Sequence, residues 1–165
     1  MARALIVGCG CRGRTLGASL AEAGWAVRGS SRAEASLPRI SAAGLEPALA
    51  DPQHPGSILE AIDGVAVVHW LLGSASGADE EVGAIHGQRL ESLLARLVDT
   101  PLRGFVYEGA GSIGGGILEQ GARIVIAAGE RWQIPFEIVT ADPDEHSAWL
   151  EAMVGATTAV LAAGD

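Results

Sequence analysis

Three glycines near the amino terminus have a spacing that suits the binding of a phosphorylated ligand. Gly8, Gly10 and Gly13 form the pattern G-x-G-x-x-G within the stretch VGCGCRGRTLG. The pattern follows an apolar run typical of a strand and precedes a helical pattern, which is the context in which such loops bind dinucleotides. The first glycine permits a tight turn, the second lets the backbone approach a pyrophosphate, and the third permits close helix–strand packing. The N–H groups of the helix N-terminus then face the phosphates.

The segment after the second predicted strand indicates which dinucleotide is favoured. Proteins that bind NAD usually place an acidic side chain there, where it bonds the ribose 2′-hydroxyl. In this chain the segment reads RGSSR and contains no acid. The hydroxyls of Ser30 and Ser31 and the guanidinium of Arg32, with Arg12 nearby, suit a 2′-phosphate instead. We therefore expect NADP(H), with NAD(H) as the less favoured alternative.

These segments also resemble a known family. LIVGCGCRGRTLG and AGWAVRGSSR are similar to the opening of the atypical short-chain dehydrogenase/reductases, the epimerase-like and NmrA-like NAD(P)-binding proteins. The resemblance implies that Asp51, after the third strand, caps the adenine ring. It also implies that VAVVHWLLG, which contains Leu71 and Leu72, lines the cofactor. The predicted cofactor-binding residues are therefore Gly8, Gly10, Cys11, Arg12, Gly13, Ser30, Ser31, Arg32, Asp51, Leu71 and Leu72.

The catalytic residues of that family do not carry over to this chain. The family uses a Tyr-x-x-x-Lys pair, whereas this chain has no lysine and one tyrosine, Tyr107, which precedes the helix that should carry the pair. A different set is His69, Glu108 and Ser112, near the carboxyl ends of strands four and five, where ligands of open α/β sheets bind. His69 would donate a proton to a carbonyl and Glu108 would orient it. The alternative is that His69 and Tyr107 are packed structural residues.

Two further features of the sequence have more than one interpretation. Cys9 and Cys11 are either small residues tolerated at a tight turn or a redox-sensing pair, and neither completes a zinc site, so we expect no metal. The stretch GAGSIGGG, residues 109–116, is either a second anion-binding loop or a flexible loop.

The elements that must position these residues follow from alternating apolar runs and helical patterns. Strands are predicted over 3–8, 25–30, 45–51, 65–73, 102–109 and 135–141. Helices are predicted over 14–24, 32–44, 55–64, 79–100, 115–132 and 143–163, the last with Asp142 as its N-cap. Strands that alternate with helices form a parallel sheet covered on both faces. We predict a single doubly wound Rossmann α/β domain over residues 1–165, with a six-stranded parallel sheet in the order 3-2-1-4-5-6.

Composition narrows the function classes. The net charge of −9 argues against nucleic acid as a partner. Six arginines and two acids lie in residues 1–45, whereas the remainder has five arginines and eighteen acids, a contrast that favours a local anion site in the first segment. No apolar run reaches the roughly 18–20 residues of a membrane span. Because a strand pattern starts at Arg3, we expect no signal peptide and a soluble, cytoplasmic protein.

The last predicted helix and the missing catalytic pair lead to the functional hypotheses. The helix carries no charge from Ala152 to Gly164, so one face should cover the sheet and the other could meet a second copy in a homodimer. The alternative is that its small residues tolerate water.

For the whole chain we predict a non-catalytic NADP(H)-binding sensor or regulatory module. The alternative is a small NADPH-dependent oxidoreductase with a non-standard site around His69, Glu108 and Ser112.

Overall fold

The computed structural model describes residues 1–164, and these form one six-stranded parallel sheet in the order β3-β2-β1-β4-β5-β6. The predicted strand order is therefore confirmed. The strands are β1 (Arg3–Val7), β2 (Ala26–Ser31), β3 (Glu46–Leu49), β4 (Val67–Trp70), β5 (Gly104–Glu108) and β6 (Phe136–Val139).

Seven α-helices connect the strands in the described residues. They are α1 (Cys11–Glu22), α2 (Leu37–Ala42), α3 (Pro55–Glu60), α4 (Asp79–Ile85), α5 (Gln88–Leu97), α6 (Ile117–Trp132) and α7 (His146–Ala163). A short 3₁₀ turn, Glu34–Ser36, precedes α2. Helix α1 ends as its sequence predicts: Gly24 has φ of +97° and follows the C-cap residue, a conformation that glycine adopts without strain.

The sheet has a separate hydrophobic core on each face, which explains why its central strands are apolar at nearly every position. Along β1, Ala4 and Ile6 pack with α1, α2 and α7, whereas Leu5 and Val7 pack with the core that includes α3, α5 and α6. Alternate residues of a strand point to opposite faces of the sheet. The position of a residue along its strand therefore decides which of the two cores its side chain enters.

Every predicted helix differs from the observed one in at least one boundary, and two of the differences have an identifiable cause. The single helix expected over 79–100 is two helices, because the chain turns at His86 and Gly87 so that the His86 ring points inward. Asp142 does not cap α7. Its carboxylate accepts a hydrogen bond from the Asp144 N–H at 2.9 Å, and the residue at the N-cap position is Glu145. The carboxylate of Asp142 thus stabilises the loop before α7.

Candidate functional site

A cavity lies at the carboxyl ends of the central strands, where the strand order reverses between β1 and β4. This is the place at which open α/β sheets bind ligands. The cavity has a volume of about 680 Å³, within the range usual for small-molecule sites. Its walls come from the loop after β1, the segment after β2, the loop after β3 and the segment between β4 and α4.

The glycine loop forms the floor of the cavity, and its three glycines have three different surroundings. Gly8 has φ of +83°, and a Cβ there would lie 2.5 Å from the Leu71 carbonyl oxygen. A Cβ on Gly13 would lie 3.2 Å from the Gly8 carbonyl oxygen, so α1 packs closely on β1. Gly10 has open space on that side and lines the cavity. A Cβ at Gly10 would therefore occupy space that a bound group could use.

The first turn of α1 is suited to an anion. Gly10 is its N-cap residue and has no side chain to bond the N–H groups, and no acidic residue lies in the first turn. Four arginines line the cavity around it. Arg12 pairs with Asp144 at 3.2 Å, and Arg32 donates to the Ser76 carbonyl at 3.0 Å. Within residues 1–164, the side chains of Arg14 and Arg39 have no hydrogen bond or ion pair, so both guanidinium groups are available to a ligand.

The end of β2 supplies an orphaned buried hydroxyl. Ser30 is 1% exposed and lines the cavity, and its Oγ has no hydrogen-bond partner among the described residues. Buried polar atoms are nearly always hydrogen-bonded, so an unbonded one at a cavity wall indicates a place for a ligand or a water. The neighbouring Ser31 Oγ accepts a hydrogen bond from the Ala33 N–H at 3.1 Å.

The wall beyond the β3 loop combines apolar side chains with a fixed carboxylate. Ala50, Leu72, Val82 and Ile85 all line this part of the cavity. Asp51 lines it as well, and one of its carboxylate oxygens accepts from the Gln53 N–H at 2.9 Å. Gln53 donates to the Glu81 carbonyl at 2.6 Å and so links the β3 loop to α4. This arrangement suits a flat, mostly apolar group with a few polar atoms at its edge.

The structure brings the predicted cofactor-binding residues together. All of them line this one cavity: Gly8, Gly10, Cys11, Arg12, Gly13, Ser30, Ser31, Arg32, Asp51, Leu71 and Leu72. Their binding of a cofactor stays a prediction. Arg14, Ser36 and Arg39 were not predicted and line the same cavity. Arg39 lies in α2, seven residues after the end of the RGSSR segment, and its charge close to that segment was the signal that could have identified it.

The structure does not bring His69, Glu108 and Ser112 together. His69 is fully buried and is not among the residues that line the cavity. It pairs in register with Ile6 and Val106, which belong to the core on the α1–α7 face. Its Nε2 lies 2.7 Å from Thr157 Oγ1 on α7. Ser112 is exposed and also lies outside the cavity lining.

The protonation of His69 follows from its surroundings. Thr157 donates its hydroxyl proton to the Met153 carbonyl at 2.8 Å, so its oxygen accepts from a protonated Nε2 of His69. Burial lowers the pKa of His69 to about 4, which the backbone of Leu5 only partly offsets. His69 is thus a neutral core residue, held by α7 and without access to the cavity in this structure.

Glu108 is the only member of the predicted catalytic set at the cavity, and both of its carboxylate oxygens are bonded. Oε1 accepts from the Gly73 N–H at 2.9 Å, and Oε2 accepts from Trp149 Nε1 at 3.0 Å. Burial raises the pKa of Glu108, whereas these two hydrogen bonds and the charge of Arg12 act in the opposite direction. The carboxylate joins β5 to the loop after β4 and to α7, which is a structural role that needs no substrate.

A buried histidine–tyrosine pair lies beside the cavity and was missed in the sequence, where His86 has the pattern of a helix-surface residue. His86 is 0% exposed. Its Nε2 donates to the Leu72 carbonyl at 2.8 Å, so Nδ1 of the neutral ring accepts from the Tyr107 hydroxyl at 2.6 Å. Burial lowers the pKa of His86 and raises that of Tyr107. The one tyrosine of the chain is therefore a core residue, as its structural interpretation predicts.

The second glycine-rich stretch does not take part in the cavity. Among the described residues, none of 109–116 lines it. The stretch packs instead on the loop after β4: the Ile113 N–H donates to the Gly73 carbonyl at 3.1 Å, and the Ser112 N–H donates to Ser74 Oγ at 3.1 Å. Gly111 lies against the backbone of Gly73, so closely that a side chain there would overlap it.

Two kinds of feature are absent from residues 1–164. No group of three or more His, Cys, Asp or Glu side chains in this range is arranged to hold a metal ion. None of the helices in the same range is both long and apolar enough to cross a membrane.

The fold of the chain is similar to that of several solved nucleotide-binding enzymes. UDP-glucuronic acid 4-epimerase from Bacillus cereus, solved in complex with NAD, matches 84% of this chain with a TM-score of 0.64 and 14% identity. Vestitone reductase from alfalfa matches 85% with a TM-score of 0.65 and 19% identity. A short-chain dehydrogenase/reductase superfamily protein from Agrobacterium tumefaciens, with bound NAD, matches 84% with a TM-score of 0.66 and 19% identity.

These likenesses extend over only part of the solved proteins. This chain covers 56%, 56% and 48% of their respective lengths, so it spans about half of each. No protein-family model and no curated protein sequence matches it. The predicted resemblance to epimerase-like short-chain dehydrogenase/reductases is confirmed in the fold: the chain shares the Rossmann α/β fold of these solved proteins.

Proposed function

We propose that this chain binds NADP(H) in the cavity above the β1 loop, as a non-catalytic sensor or regulatory module. The observation that carries the proposal is the open space at Gly10, directly at the unblocked N-terminus of α1. A pyrophosphate placed there would receive hydrogen bonds from the first turn of α1 and would lie within the field of Arg14. The solved enzymes with bound NAD that share this fold support the assignment to a dinucleotide.

The preference for NADP(H) is supported by the charge at the end of β2. Ser31, Arg32, Ser36 and Arg39 line this part of the cavity, and no acidic residue of the segment 28–32 is present to bond a 2′-hydroxyl. The Arg39 side chain has no hydrogen bond or ion pair within the described residues to lose, so it is the better residue for a test than Arg32, which donates to the Ser76 carbonyl. A 2′-phosphate between the two guanidinium groups would form charge-assisted hydrogen bonds.

Substitution of Arg39 tests the preference without disturbing the fold. We expect Arg39→Ala to weaken binding of NADPH about tenfold, equivalent to roughly 1.4 kcal/mol, and to leave NADH binding nearly unchanged. Arg123→Ala is the matched control, because Arg123 is an exposed helical arginine outside the cavity. Equal losses for NADPH and NADH, or no loss in Arg39→Ala, would contradict the assignment of the 2′-phosphate to this place.

The non-catalytic role is supported by the positions of the acid–base groups. His69 and Tyr107 are core residues outside the cavity lining, and the carboxylate of Glu108 bonds two N–H groups of the protein. A hydride transfer needs a proton donor or acceptor beside the reacting carbon. Glu108 is the one residue of the predicted set that keeps the oxidoreductase alternative open, because it lines the cavity.

The two roles are separated by turnover. We expect NADPH, at saturating concentration, to show no protein-dependent oxidation with a panel of aldehydes and ketones. Oxidation that disappears in Glu108→Ala, in a variant that still binds NADPH, would establish the oxidoreductase alternative instead.

We also propose a homodimer formed through α7. The sheet-facing side of this helix is buried through Trp149, Met153 and Thr157, and from Gly155 onward its exposed residues are small, among them Ala159. Small residues allow close approach of a second helix. Light scattering should give the mass of two chains for the native protein and of one chain for Ala159→Arg.

A further inference from the structure

The two cysteines of the glycine loop lie in opposite environments. Cys9 is 3% exposed and packs in the core with Leu16 and Ile40, close to Gly29. Burial raises the pKa of the Cys9 thiol to about 11, although Arg14 acts against the shift. Cys11, the first residue of α1, is exposed and lines the cavity. Both cysteines line the cavity, but the Cys9 side chain is buried whereas that of Cys11 is exposed, so Cys11 is the thiol that a molecule in the cavity would reach first.

The surroundings of Cys11 indicate an anionic ligand by evidence independent of the thiol. The Ser30 hydroxyl, buried and unbonded, belongs to the same cavity. The guanidinium groups of Arg14 and Arg39 line it without a partner among residues 1–164. A small molecule with carboxylate groups would be attracted to the same place as a dinucleotide.

We propose that Cys11 is a modification site, at which thiol–disulfide exchange with an anionic low-molecular-weight disulfide closes the cavity to dinucleotides. The proposal rests on the proposed function, because it concerns regulation of the same cavity. In the reaction, the Cys11 thiolate attacks one sulfur of the disulfide and forms a new S–S bond. The original S–S bond breaks, and the other half leaves as a thiolate. The low-molecular-weight disulfide is the oxidant, and a thiol reductant reverses the exchange.

The position of the adduct explains why it would exclude a dinucleotide. Cys11 directly follows Gly10, whose open side is the proposed position of the pyrophosphate. A peptide-sized adduct on the first turn of α1 would cover the same N–H groups. Binding and modification then exclude each other: a bound dinucleotide covers the Cys11 thiol, and the adduct occupies the space of the pyrophosphate.

The experiment treats the purified native chain with glutathione disulfide and identifies the product by intact mass and peptide mapping. We expect one glutathionyl adduct, located at Cys11, and no adduct in Cys11→Ser. Saturating NADPH should slow the modification about tenfold or more, and the adduct should weaken NADPH binding about tenfold or more, or roughly 1.4 kcal/mol. Treatment with a reductant should restore binding. In Cys11→Ser, the disulfide should leave the affinity for NADPH, whatever its value, unchanged.

Three results would overturn the proposal: no adduct on the native chain, an adduct at Cys9, or adduct-bearing protein that binds NADPH as the untreated protein does. Failure of the proposed function is a different result, in which the untreated protein binds no dinucleotide. In that case, the mass analysis after treatment with glutathione disulfide alone decides whether Cys11 is a modification site. A selective adduct at Cys11 would support its assignment as a modification site, and no adduct would refute it.

Discussion

At the scale of single residues, Glu108 shows how a buried charge can be held by two N–H donors. Its oxygens accept from the backbone of Gly73 and the indole of Trp149, which connects β5, the loop after β4 and α7. Neither partner can act as an acceptor through these atoms, so the side chain at position 108 must offer two acceptors.

Replacement of Glu108 by glutamine should therefore destabilise the protein although the shape is conserved. The amide has one acceptor and one donor, so its NH₂ group must face an N–H donor, at a cost of about 1–3 kcal/mol in the free energy of unfolding. Urea unfolding of Glu108→Gln measures the effect. Glu137→Gln, on the exposed side of β6, is the matched control and should change the stability by less than about 0.5 kcal/mol. Equal stabilities of the two variants would contradict the hydrogen bonds assigned to Glu108.

The burial of His69 predicts a loss of stability in acid. Its folded-state pKa of about 4 lies below the ordinary value of 6.5, so the unfolded chain binds the proton more readily. The stability that the neutral His69 ring contributes is fully present above its unfolded-state pKa of 6.5. It is lost as the pH falls towards the folded-state pKa of about 4. Between about pH 7 and about pH 5, this residue alone should reduce the free energy of unfolding by about 2 kcal/mol.

His69→Leu isolates that contribution. The leucine fills a similar volume, and Thr157 keeps its hydrogen bond to Met153. We expect the difference in unfolding free energy between neutral and mildly acidic buffer to be smaller in the variant by about 2 kcal/mol. The pKa of His86 is also lowered by burial, and this effect on the pH dependence is the same in the variant and the wild type. An identical pH dependence of variant and wild type would show that His69 is not buried as a neutral ring.

At the scale of elements, the β1 loop and the first turn of α1 carry the proposed binding function. The three glycines differ in what a side chain would meet: backbone at Gly8, the packed face of α1 at Gly13, and open space at Gly10. Substitution at Gly10 therefore separates binding from folding, whereas substitution at Gly8 or Gly13 would affect both.

Gly10→Ala should fold like the wild type and bind NADPH at least about tenfold more weakly, because its methyl group takes the space proposed for the pyrophosphate. The φ of Gly10 is −84°, outside the left-handed region that favours glycine. Gly114→Ala is the matched control: it also meets open space, but in the loop before α6 and outside the cavity. Thermal unfolding reports the fold and titration reports the affinity. Unchanged binding in Gly10→Ala would place the ligand elsewhere.

Elements also show where prediction from sequence reaches its limit. In a strand buried on both faces, such as β4, every position is buried and the residues around His69 are apolar, so periodicity does not reveal which layer His69 faces. The break between α4 and α5 depends on the inward turn of His86, whose partners Leu72 and Tyr107 are distant in sequence. Glycines at positions 83 and 87, on either side of His86, were the one local signal of that break.

At the scale of the whole molecule, the fold and the place of the cavity are predictable from short sequence patterns. Strand–helix alternation predicts the sheet and its order, and the loop G-x-G-x-x-G predicts the position of the ligand relative to β1. The orphaned hydroxyl of Ser30 and the free guanidinium of Arg39 required the structure, because the lack of a partner is a property of the assembled cavity. The same is true of the separation between His69 and Glu108.

The most direct test of the account is calorimetric titration of the native chain with NADPH and with NADH. We expect micromolar binding of NADPH in a one-to-one complex, and binding of NADH weaker by at least about tenfold, or roughly 1.4 kcal/mol. Absence of binding for both dinucleotides would contradict the central claim that this cavity is a dinucleotide site. Tighter binding of NADH than of NADPH would keep the site but contradict the role given to the arginines after β2.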